Sequence, residues 1–135
     1  MFDWLANPNR FNRITKKLQP FILFIAVITL ISGLYFGLYD SPKDYQQGDA
    51  VRIMYVHVPS AWLASFLYFS LAISCVFYLV WKHPLADLVS SSIAPIGALF
   101  SALTLITGSL WGKPMWGTWW VWDARLTSML ILFFF

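Results

Sequence analysis

Three long runs without a single charge, residues 18–39, 59–81 and 88–111, decide what this chain can become. A helix needs roughly 20 mostly apolar residues to cross about 30 Å of hydrocarbon. Inside lipid every backbone polar group must be satisfied within the helix itself, so runs of this length and character fold as spanning helices. The chain is therefore predicted to be all-α, a polytopic transmembrane helical bundle forming a single membrane domain over 1–135. A fourth run, LTSMLILFFF at 126–135, is too short to cross and is expected to be an incomplete span. Composition agrees, with 59% hydrophobic and 11% charged residues. Soluble domains carry roughly 25% charged residues, which removes the chain from that class.

Charge placement sets the expected orientation. Of nine cations, Arg10, Arg13, Lys16 and Lys17 stand just before the first run, and Lys82 lies in the 81–87 turn. The 40–52 connection opposes Asp40, Asp44 and Asp49 to Lys43 and Arg52. Cations collect on the cytoplasmic side, so the N-terminus is predicted to be cytoplasmic. The same placement accounts for the net charge of +3 without a nucleic-acid partner, and none is expected. Three crossings then bring the 40–58 and 112–125 connections to the outer side. The long region before the first run, with no A-x-A-like site after it, reads as an uncleaved anchor. Cys75 stands alone in an apolar run, with no C-x-x-C or C-x-x-C-H nearby, and is expected to be a buried packing residue.

Residues 111–125, WGKPMWGTWWVWDAR, hold five of the eight tryptophans. Interfacial anchoring uses indoles sparingly, so this is more aromatic surface than a belt requires, although a belt is the competing reading. Pro114 is expected to open a surface helix. On it Trp116, Trp119, Trp120 and Asp123 would share one stripe at i, i+3, i+4 and i+7, with Trp122 off it. Indole faces stack on flat conjugated ligands while their N–H groups stay available. Lys113 or Arg125 would suit ligand carboxylates, Arg with the better bidentate geometry. Asp123 at a membrane boundary needs a partner. Arg125, an indole N–H, a ligand or a docking protein would each serve, and Arg125 could equally snorkel to the interface. Gly112 and Gly117 allow either unusual backbone angles or close approach of a ligand.

His57 precedes Pro59, which fits the first turn of the second spanning helix. Tyr55 and Trp62 flank it and are candidates to line the same pocket. His83, with Pro84 and Asp87, reads as a turn on the opposite side of the membrane.

The segment WGKPMWGTWWVWDARLTS resembles the signature of the WWD family of haem-handling membrane proteins. MYVHVPSAW, Met54 to Trp62, resembles the loop-to-helix junction of one branch of that family, the haem exporter C subunits of bacterial cytochrome c maturation. The two segments fall in the expected order, and the resemblance covers essentially the whole chain. It implies non-covalent haem b held at the outer face, with His57 as an axial ligand of the iron. Trp111, Trp116, Trp119, Trp120, Trp122, Asp123 and Arg125 would contact the macrocycle or its carboxylates. It also implies the bacterial inner membrane, a periplasmic tryptophan-rich loop and delivery of haem to a membrane-anchored haem chaperone. The implied partners are ABC transporter subunits, a small membrane subunit and the lipid bilayer. Family members have six spans, and their second axial histidine lies in a later external loop, beyond this sequence. The alternative is a permease subunit of an ABC-type transporter, but a polar route across the first two spans is not evident. No nucleophile–base pair is found, so an enzyme is not expected.

Overall fold

The computed structural model describes residues 8–135, with side chains from Arg10 onward. Four helices make up almost all of it. The first, α1, runs Pro8–Leu34 and continues as a π-helical stretch, Tyr35–Asp40. After a turn region come α2 at Val51–Trp81, α3 at Pro84–Trp116 and α4 at Ala124–Phe134. The chain divides into two units, one ending at Asp40 and the other comprising Ser41–Phe135.

In the first unit the stretch Arg10–Asp40 is long and apolar enough to cross a membrane. Arg10, Arg13, Lys16 and Lys17 occupy its first turns, and Pro20 sits inside the helix. In the π-helical end Tyr35 stacks on Tyr39, with centroids 5.9 Å apart.

The second unit is built on an antiparallel hairpin of α2 and α3, each again long and apolar enough to span. The reversal takes two residues. Lys82 adopts a left-handed φ of 52° and its N–H closes onto the Tyr78 carbonyl at 2.8 Å. His83 is extended, and Pro84 opens α3 at a position where a missing N–H costs nothing.

Lipid supplies no hydrophobic force between helices, so α2 and α3 must meet through close backbone approach. On α2 the facing stripe is His57, Ser60, Ala64, Leu67 and Leu71, and Ser60 and Ala64 are buried. On α3 it is Gly97, Ser101, Thr104 and Gly108, all buried, while the buried Gly112 faces Trp116 and Thr118 of the connection that follows. A Cβ on Gly97 would meet Tyr68 Cε2 at 3.2 Å, so this residue sets how near the helices come. The seam thus begins near Gly97 and lies further along α3 than the hydroxyl cluster Ser90–Ser92. Those three hydroxyls are spent on α3's own carbonyls, and Ser91 and Ser92 are exposed.

Other boundaries also move. Helix α2 begins at Val51, so Pro59 lies in its interior rather than its first turn, and α3 extends beyond both ends of the 88–111 run. A charge-free window marks only the part suited to hydrocarbon, whereas a helix continues while its backbone bonds can. Cys75 is exposed rather than buried, because an apolar run in a spanning helix marks suitability for hydrocarbon and not burial against protein, and little of α2 is covered. At 11 residues α4 is about 16 Å long, short of the hydrocarbon thickness.

Candidate functional site

His57 lies on the α2 stripe that meets α3, and its ring is half-buried there. Its Nδ1 is 3.0 Å from Thr107 Oγ1, fifty positions away in the chain. Gly108 makes room for the ring, since a Cβ there would stand 3.1 Å from His57 Cε1. Leu126, in the first turn of α4, approaches the same spot. Tyr55 and Trp62 are exposed and fall on the far side of α2, so they do not join His57. The remaining histidine, His83, lies beyond the other end of α2. The intervening helix measures on the order of 36 Å, too far for both imidazoles to reach one metal ion.

The tryptophan-rich connection follows at the same end of the hairpin. It is not the surface helix that the spacing of Trp116, Trp119, Trp120 and Asp123 predicts. Pro114 lies within the last turn of α3, which ends at Trp116. Gly117 then takes φ +76° and its N–H closes onto the Lys113 carbonyl at 3.0 Å. A left-handed glycine cap of this kind ends a helix whatever the pattern beyond it. The chain passes Trp119, Trp120 and Trp122 without regular structure until Asp123 caps α4, its Oδ1 accepting the Leu126 N–H at 2.8 Å.

Within this connection the side chains form a connected set. The Trp111 and Trp116 rings meet edge to face at 5.1 Å. The Arg125 guanidinium lies 5.4 Å from the Trp116 ring centroid and donates twice to Asp123 Oδ2, at 3.0 and 2.8 Å. Of the partners open to Asp123 the structure supplies Arg125, and it adds one not foreseen, the N-terminus of α4. The Leu126 N–H, then Arg125, hold the Asp123 carboxyl below the usual carboxylate range. Lys113 Nζ bonds the Gly117 carbonyl and sits 5.9 Å from the Trp119 ring. Trp120 and Trp122 pack edge to face at 5.4 Å. The rings of Trp116, Trp119 and Trp122 are exposed, while Trp120 Nε1 is buried with no hydrogen-bond partner among the described residues.

A further tie comes from the 41–50 turn. Asp44 Oδ1 accepts the N–H groups of Gln46 and Gln47, at 2.9 and 2.8 Å, and Lys43 pairs with Asp49 at 2.8 Å. That geometry presents Gln47, whose Oε1 accepts the Trp111 indole N–H at 2.9 Å. Gln47, Thr107 and Gly108 are absent from the sequence-based site. Their roles arise from contacts between distant segments, and no local pattern announces them.

The residues suit a flat aromatic ligand carrying a metal and acidic edges. They supply one imidazole, exposed indole faces, a buried indole N–H lacking an acceptor, and a guanidinium. Among the described residues no cluster of three or more His, Cys, Asp or Glu is present that would hold a bare metal ion.

These features define a class: a multi-pass helical membrane protein with an imidazole and an indole-rich connection at one end of its central hairpin. The chain belongs to the CcmC family, Heme exporter protein C, whose pattern matches residues 1–135. It is 54% identical over 129 residues to Heme exporter protein C of Bradyrhizobium diazoefficiens, covering 96% of this chain and 49% of that protein. It is 53% identical to the Haemophilus influenzae protein of the same name, covering 99% of this chain and 56% of the relative. The Escherichia coli K12 counterpart is 48% identical, with 96% and 53% covered. The chain thus spans about half the length of the curated relatives it matches.

Proposed function

We propose that this chain contributes a haem-holding site on the outer face of the bacterial inner membrane. Haem held there passes to a membrane-anchored haem chaperone during c-type cytochrome biogenesis. The observation that carries the reading is the placement of His57 and the tryptophan-rich connection at one end of the α2–α3 hairpin. Thr107 and Gln47 tie them in from α3 and the 41–50 turn.

Haem is cargo in this account, bound non-covalently as haem b, and its iron offers a coordination position that a neutral imidazole fills. His57 supplies that imidazole. The exposed faces of Trp116, Trp119 and Trp122 cover the macrocycle, and Trp111 packs edge to face against Trp116. Trp120 contributes its unpaired indole N–H, a group whose burial is costly until an acceptor arrives. Arg125, held by Asp123 and lying over the Trp116 ring, serves the carboxylates. The cations of the first turns of α1 support a cytoplasmic N-terminus and hence a periplasmic connection. His83 is too remote to share an iron with His57. ABC transporter subunits and a small membrane subunit complete the assembly.

The test is haem titration of the full natural chain purified in detergent. A saturable Soret band with one haem per chain is expected, together with crosslinking to the chaperone that depends on bound haem. A chain that takes up no haem above a control membrane protein would overturn the reading.

A further inference from the structure

We infer that Thr107 is a positioning residue for His57, holding the imidazole in the tautomer that carries its proton on Nδ1 and its lone pair on Nε2. Assigning Nε2 as the nitrogen offered to iron rests on the haem-holding reading above. The tautomer itself rests on hydrogen bonds alone.

The Thr107 hydroxyl has one proton, and it is committed. Oγ1 lies 2.6 Å from the Leu103 carbonyl, an acceptor that cannot donate, and the Thr104 carbonyl stands further off at 3.3 Å. With its proton directed into its own helix, Oγ1 can only accept on its remaining side. His57 Nδ1 is there, at 3.0 Å. A short contact between two acceptors would be repulsive, so Nδ1 carries the hydrogen, and in a neutral imidazole the other nitrogen then bears the lone pair.

Bonds from a hydroxyl to its own helix are ordinary in this chain, as at Thr15, Ser65, Ser70 and Thr104. Thr107 differs because its oxygen also receives a side chain from the facing helix. The ring is confined as well, with its Cε1 edge facing Gly108 so closely that a Cβ there would stand 3.1 Å away. Turning the ring over would exchange a bonded nitrogen for a carbon at Oγ1. Thr107 and Gly108 together therefore select both the tautomer and the orientation of the ring. Outer partners of this kind fix the geometry of metal-ligating histidines, and their loss costs about 10–100-fold in affinity.

Two measurements on the full natural chain test this. The first is a nitrogen–proton correlation spectrum of histidine-labelled protein without haem, with the His57 signals assigned by their loss in His57→Gln. Wild type and Thr107→Ser should show the Nδ1–H form. Thr107→Val, which keeps the shape but removes the acceptor, should shift His57 toward the Nε2–H form that free imidazole side chains favour in water. A wild-type His57 in the Nε2–H form, or an Nδ1–H form that survives Thr107→Val, would overturn the inference. The second is haem titration followed by the ligand-field spectrum of the ferric state. Thr107→Val should weaken retention by about 10-fold or more and alter the spectrum, and Thr107→Ser should restore both. If the tautomers behave as stated while wild type takes up no haem, the haem reading falls and the tautomer assignment stands.

Discussion

The Trp111 indole N–H donates to Gln47 Oε1 at 2.9 Å, joining residues 64 positions apart. This bond closes the 41–50 turn onto the end of α3, just where the tryptophan-rich connection begins. The turn has its own internal order through Asp44, so the bond joins two preformed pieces rather than organising either.

Removing that bond should loosen the turn without unfolding the hairpin. A neutral, partly buried hydrogen bond contributes about 1 kcal/mol net. Gln47→Leu is therefore expected to lower the thermal midpoint slightly and to speed proteolysis within 41–50, with the α2–α3 core still protected. An unchanged cleavage rate would show that the bond does not hold the turn.

Gly108→Ala sets two effects against each other. Alanine gains about 1 kcal/mol in helix propensity over glycine. Its Cβ would stand 3.1 Å from His57 Cε1, however, so the ring must give way. Helix content and thermal midpoint should hold or rise, while haem retention falls and the iron spectrum changes. Native retention with a native spectrum would mean that the ring tolerates the methyl group without moving.

The pH dependence of the connection follows from Asp123. Its carboxyl titrates below the ordinary range because the Leu126 N–H and Arg125 favour the charged form. A depressed carboxylate contributes stability that is present above the unfolded value and lost as pH falls through the folded one. Tryptophan fluorescence should therefore be flat from about pH 8 to 5 and change only below about pH 4. In Asp123→Asn, which keeps the cap but not the charge, the acid step should disappear. A transition near neutral pH would contradict the assignment.

Arg125→Lys separates stability from ligand binding. The Arg125 side chain is 77% exposed, and ion pairs of that kind contribute little to folding. The guanidinium's cation–π contact with Trp116 and the paired donation to Asp123 are lost all the same. The melting curve should be unchanged and haem affinity should fall. Equal affinity in both proteins would remove Arg125 from the site.

Much of this was legible in the sequence, and for physical reasons. Hydrocarbon imposes length and the exclusion of charge on each crossing, so the three long helices follow from composition alone. Counting crossings puts His57 and the tryptophan-rich connection on one side, and both lie toward the same end of the α2–α3 hairpin. The form of that connection was not legible. Trp116, Trp119, Trp120 and Asp123 carry a helical spacing, yet one left-handed glycine, Gly117, stops α3 before the spacing can matter. Pairwise contacts were hidden too. Thr107 looks like any helical threonine until α2 is laid against it, and the small residues near the start of the third run mark the packing seam only at Gly97, since Ser91 and Ser92 are exposed.

The most direct measurement is the haem content and Soret spectrum of His57→Gly, taken with and without added imidazole, in the full natural chain. The account predicts that the variant loses most of its haem and that free imidazole restores both the content and the band by refilling the vacated position. Wild-type haem content and an unaltered spectrum in His57→Gly would contradict it.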